Sequence, residues 1–119
     1  MAHARLLRAS TPATWSDKVR RSLLETLLRG TRPTVDATAR ELAFSARQLQ
    51  LHLKSEETSY TEILDGLRLE LAKGYLQRDD LSLCEVTFLL GYAEQSSFNH
   101  AFKRWTGRSP TEYRGSVRH

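Results

Sequence analysis

Four histidines, one cysteine and a pair of adjacent aspartates are the side chains of this 119-residue chain that most readily suggest chemistry. His3, His52, His100 and His119 stand too far apart for zinc-ligand spacing, and a single cysteine adds little to such a set. No metal site is expected. Asp79 and Asp80 read as a solvated turn that supplies acid before a helix start at Ser82. The six glycines are isolated, so no phosphate-cradling loop is formed, and no serine has the flanking glycines of a nucleophile elbow. No catalytic residue and no cofactor follow from these residues. Cys84 is the one nucleophile left open. A helix start lowers a thiol's pKa, whereas Glu85 beside it opposes a thiolate. Alkylation with a thiol reagent at graded pH separates the two, since an ordinary pKa near 8.5 removes the enzyme reading.

A different chemistry is legible in two short runs rich in amides and bases. In the first, Arg47 can pair bidentately with guanine, Gln50 with adenine, and Leu51 can touch a thymine methyl, while Lys54 suits a phosphate. In the second, Gln95, Ser96 and Asn99 can read base edges and His100 can donate to N7 or O6 of a purine. Lys103 and Arg104 follow as phosphate contacts. Charge supports that assignment: residues 95–119 hold five Lys/Arg and one acid, a net +4, whereas residues 41–94 hold five and ten. A basic block of this kind is an electrostatic footprint for nucleic acid or simply a solvated tail.

Helices must position these side chains. Trp15, Val19, Leu23 and Leu27 recur every four residues behind a Thr14 cap, Leu24 and Leu28 widen the stripe, and Gly30 closes it in the left-handed conformation. Thr34 caps a short helix over 35–43 with Val35, Thr38, Ala39 and Leu42 inward. Ser45 caps another over 46–54 with Leu49 and Leu53 inward, after a break at Phe44. Ala43 enters the tight connection of this helix-turn-helix pattern. Ser59 and Glu62 form a capping box for a longer helix to about Gln77, whose inward face is Tyr60, Ile63, Leu64, Leu67, Leu71 and Tyr75. Ser82 and Glu85 form another, and Ser109, Pro110 and Glu112 open the last helix. No strand pattern appears. The chain is predicted to be all-α.

The second half repeats the first. A shift of 48 carries Thr34 to Ser82, Val35 to Leu83, Leu42 to Leu90 and Phe44 to Tyr92; a shift of 49 past the turn carries Leu49 to Phe98, Leu53 to Phe102 and Lys54 to Lys103. An internal duplication with one extra turn residue accounts for this register. Two helix-turn-helix units can grip two successive major grooves about 34 Å apart, and a rigid helix of about 18 residues spans roughly 27 Å between them.

The run YAEQSSFNHAFKRWTGRSPTEYR at 92–114 resembles the signature of the AraC/XylS family of bacterial transcription regulators. Gly91, Tyr92, Ser96, Phe98, Ala101, Phe102, Lys103, Trp105, Gly107, Ser109, Pro110, Tyr113 and Arg114 fill the family pattern. SARQLQLHLK at 45–54 and LRLELAKGYL at 67–76 match its first recognition helix and linker helix. The resemblance covers about residues 15–115. It implies a seven-helix bundle of two helix-turn-helix units joined by a linker helix, sequence-specific binding of double-stranded promoter DNA, and RNA polymerase as a further partner of an activator. Family base contacts fall at Arg47, Gln50, Leu51, Gln95, Ser96, Asn99 and His100. Leu51 stands where the family usually has arginine, many members have arginine at His100, and Thr87 replaces a usual alanine.

The expected organisation is a lead-in over 1–13, a first unit over 14–57, a linker helix over 58–78, a second unit over 79–116 and a tail over 117–119. With 39% hydrophobic and 27% charged residues the composition is globular, no apolar run spans a membrane, and the N-terminus lacks the apolar stretch of a secretory signal. A lone cysteine forms no internal disulfide, which fits a reducing cytosol. The resemblance implies an excised C-terminal domain, monomeric by itself, whose sensor and dimerisation domain is missing; a stand-alone member is the alternative. A protein-binding helical module, using Leu51 and the acidic middle segment, is the competing class, and it differs in its weaker salt response.

Overall fold

Seven helices and no strand make up the described residues, 13–117 of a computed structural model. Apart from Ala13, the expected lead-in over 1–13 lies outside them, as do residues 118–119 of the tail. The helices are α1 (Trp15–Leu28), α2 (Val35–Glu41), α3 (Ala46–Ser55), α4 (Tyr60–Leu76), α5 (Leu83–Leu89), α6 (Gln95–Thr106) and α7 (Pro110–Val117). Their starts follow the capping residues. Thr14, Ser45 and Ser82 each accept from the backbone N–H three residues on, and Asp17, Gln48 and Glu85 reciprocate. Ser109 and Glu112 do the same at α7. The box expected at Ser59 is only half made: Ser59 accepts from the Glu62 N–H, but the Glu62 carboxylate takes the Thr58 hydroxyl instead.

The repeat extends to the backbone of the two turns. Ala43 and Gly91, 48 apart, both adopt the left-handed conformation (φ 66° and 81°) just beyond the ends of α2 and α5. Each turn is closed by the same bond, from the Phe44 N–H to the Ala39 carbonyl and from the Tyr92 N–H to the Thr87 carbonyl. Gly30 closes α1 at φ 74°, as expected. Leu28 does not belong to the buried stripe: it is 67% exposed, because a sixth stripe position on a 14-residue helix rotates beyond the face that α4 covers.

Two cores result. Val19, Leu23, Leu27, Ala39, Leu49 and Leu53 pack with Leu64 and Leu67 from the first half of α4. Val86, Leu90, Phe98 and Phe102 pack with Ala72 and Leu76 from its second half. Leu71 of α4 touches both. The radius of gyration, 16.1 Å, exceeds the ~13 Å of a compact domain of about 100 residues. The Thr87 hydroxyl is buried and donates to the Leu83 carbonyl at 2.8 Å, so its burial leaves no unpaired donor.

Candidate nucleic-acid interface

Each recognition helix is anchored by large apolar side chains spaced four apart, which turns its polar residues outward. On α3, Leu49 and Leu53 are completely buried, and Arg47, Gln50, Leu51 and Lys54 are exposed, Leu51 to 57%. Gln50 and Lys54 border a hollow of about 580 Å³ closed by Thr34 and by Ser59 and Thr61 at the start of α4. The back of α3 rests on rings: His52 stacks on Trp15 at 4.6 Å and tilts against Phe44 at 4.7 Å, and Lys18 lies 4.5 Å over Trp15. Just past α3, Glu56 accepts the backbone N–H of Trp15 (2.9 Å) and both the N–H (2.8 Å) and the hydroxyl (2.6 Å) of Ser16. The Ser16 hydroxyl, followed by these N–H groups, holds the Glu56 carboxyl below the usual glutamate range, against an opposing effect of burial.

On α6, Phe98 and Phe102 are completely buried and Ala101 nearly so. Gln95, Ser96, His100, Lys103 and Arg104 are exposed. Asn99 departs from the expected outward face: it is half-buried, and its Oδ1 is enclosed without a hydrogen-bond partner. Asn99 borders the buried face formed by Phe98, Ala101 and Phe102. In this rotamer its oxygen cannot accept from an adenine. Glu94 caps α6 without a side-chain bond, unlike Ser45 at α3. Cys84 is exposed at the start of α5.

Three residues hold this surface together; Arg68 and Glu56 were missed in the sequence, and Arg114 was named there only as part of the 92–114 motif. Arg68 of α4 donates through Nε to the Leu90 carbonyl (2.7 Å) and through Nη2 to the Gly91 carbonyl (3.3 Å), and its guanidinium lies 4.2 Å over the Tyr92 ring. Burial raises the Tyr92 phenol's pKa, and the Arg68 charge opposes the shift. Arg114 of α7 donates to the Leu76 carbonyl at the end of α4. Glu56 is the third. Their partners lie 22 to 41 residues away, so no local periodicity reveals them. The sequence signal at Arg68 was a charge on an otherwise apolar helix face.

Two recognition helices exposed on capped, separately packed units define a helix-turn-helix domain. A family model described as a helix-turn-helix domain matches residues 38–116. The chain is 43% identical over 97 residues to the ornithine utilization regulator of Pseudomonas aeruginosa, covering 82% of this chain and 28% of that protein. It is 38% identical over 84 residues to the transcriptional regulator VqsM of the same organism, covering 71% and 26%. Among solved structures it resembles a DNA-binding transcriptional dual regulator of Escherichia coli K-12 (TM-score 0.83, 26% identity, 91% of this chain and 96% of that one). It also resembles the transcriptional regulator CdpR of P. aeruginosa (TM-score 0.77, 38% identity, 85% and 31%). The chain belongs to the AraC-type helix-turn-helix family of transcription regulators and is a sequence-specific DNA-binding domain of that family. It spans little more than a quarter of the length of those two curated relatives. Among the described residues no helix is long and apolar enough to cross a membrane.

Proposed function

We propose that the domain docks on promoter DNA with α3 and α6 in successive major grooves. Arg47, Gln50 and Leu51 read bases in one groove; Gln95, Ser96, His100 and an outward-turned Asn99 read the other; Lys54, Lys103 and Arg104 meet phosphates. The observation that carries this reading is the repeat of one arrangement. Both helices expose a face without acids opposite a fully buried pair, Leu49 and Leu53 or Phe98 and Phe102. Selection of bound duplexes from a random-sequence pool tests it. Two short motifs about one helical turn apart are expected, and a single motif overturns the two-groove mode.

RNA polymerase is the second proposed partner, with the protein acting as an activator. Its support is apolar surface away from the recognition helices: Phe88 on α5 is 68% exposed and borders a small hollow with Arg32 and Ala93. Phe88→Ser should lower transcription from a bound promoter while leaving DNA affinity unchanged. Equal transcription by both proteins removes this contact.

A further inference from the structure

No shared core fixes one recognition helix relative to the other. The two buried clusters are distinct, α4 carries one at each end, and partly buried Leu71 between them touches both. A second connection exists at the turn between α5 and α6. There Gly91 sits so close to the first unit that a Cβ on it would lie 3.0 Å from both Leu27 Cδ2 and Pro33 Cδ. From α4, Arg68 grips the same turn by the carbonyls of Leu90 and Gly91 and covers the ring of Tyr92. A planar guanidinium presents in-plane donors to the carbonyls while its face lies on the ring, a fixed geometry that a lysine ammonium does not reproduce. In the first unit the equivalent ring, Phe44, packs instead against Trp15 and His52 of its own unit. The Arg68 arrangement thus ties the second unit's turn to the linker at the place where that turn abuts the first unit.

We propose that Arg68 is a positioning residue for the second recognition helix: its grip on the α5–α6 turn fixes α6 relative to α3 and thereby the separation of base motifs that the domain accepts. One base pair moves a half-site by about 3.4 Å and about a tenth of a turn. Loss of the grip therefore needs to free α6 by a few ångströms and about a tenth of a turn to admit a neighbouring spacing. The proposal rests on the two-groove mode.

Two measurements test it, each on wild type, Arg68→Met and Arg68→Lys. In the first, nitroxide labels on Ser55→Cys and Ser97→Cys, in a Cys84→Ser background, report the α3–α6 distance without DNA. One narrow distribution is expected for wild type, a broad or split one for Arg68→Met, and an intermediate width for Arg68→Lys. In the second, each protein selects duplexes from a random-sequence pool. Wild type is expected to recover two motifs at one separation and to lose about tenfold in affinity when one base pair is inserted between them. Arg68→Met is expected to recover the same motifs at several separations and to lose less than about threefold. Superimposable distance distributions overturn the proposal, as does one unchanged separation in all three proteins; a lower melting temperature with both readouts unchanged assigns Arg68 to stability alone. A wild-type selection yielding a single motif overturns the two-groove mode as well, whereas a fixed pair of motifs throughout overturns only the role of Arg68. Should Arg68→Met fail to fold, Arg68→Lys is judged by the same two readouts.

Discussion

Glu56 illustrates how one carboxylate joins chain segments 40 residues apart. It supplies the start of α1 with a charged acceptor from the end of α3, and the bonds from Ser16 and Trp15 lower its pKa from the ordinary value of 4.5. A carboxyl with a lower pKa folded than unfolded binds fewer protons in the native state at intermediate pH. Its contribution is therefore complete above the unfolded value and is lost as pH falls through the folded one. Glu56→Gln should cost about 0.5–2 kcal/mol at neutral pH, the range for a lost N-cap. Thermal melts should show the gap from wild type closing on acidification below the glutamate range; a gap independent of pH removes the charge from the account. At the interface, Gln95→Ala should relax preference at one or two base pairs by about 1–3 kcal/mol, measured against a panel of point-substituted sites. The exposure of Arg47, Gln50, Gln95 and His100 was legible because a four-residue apolar spacing dictates which side is left over. Asn99 was not, since it lies at the border of the buried stripe, where a few degrees of helix rotation decide exposure. Arg68 and Glu56 escaped because their partners are set by tertiary packing.

At the level of elements, cap chemistry made the helix starts readable, and the repeat made the turns readable. Ser59 shows the limit: its box motif is intact in sequence, yet Thr58 takes the carboxylate that should have closed it. The two turns offer a matched experiment. Gly91→Ala places a Cβ 3.0 Å from Leu27 and Pro33 in a left-handed conformation, and it should destabilise by more than about 1 kcal/mol. Ala43→Gly relieves left-handed strain of about 1 kcal/mol, but the freer unfolded chain offsets about 0.4–1 kcal/mol of that. Urea titrations should therefore find Ala43→Gly nearly neutral beside a clearly weakened Gly91→Ala. Similar losses in both would mean that the turns are not equivalent in the way their backbone angles suggest.

For the whole molecule, α4 is both spacer and shared wall, 17 residues or about 26 Å long. Its amphipathic pattern gave away its existence and its approximate end, but not the division of its buried face between two cores, because periodicity does not say which neighbour covers a residue. Electrostatics belong to this scale too. If the domain makes about 6–10 phosphate contacts, affinity for a selected duplex should fall by about 10³–10⁵ between 50 and 200 mM salt. Lys103→Ala should weaken all duplexes alike and flatten that slope, as binding titrations over this range would reveal. The divided interior has a practical consequence as well. Trp15 packs on the first core and Trp105 on the second, so each lobe owns one of the chain's two indole fluorophores. Trp15→Phe and Trp105→Phe then leave proteins whose emission watches opposite ends of the same molecule. Their urea curves should superimpose for as long as the helix between the lobes conveys the loss of one to the other.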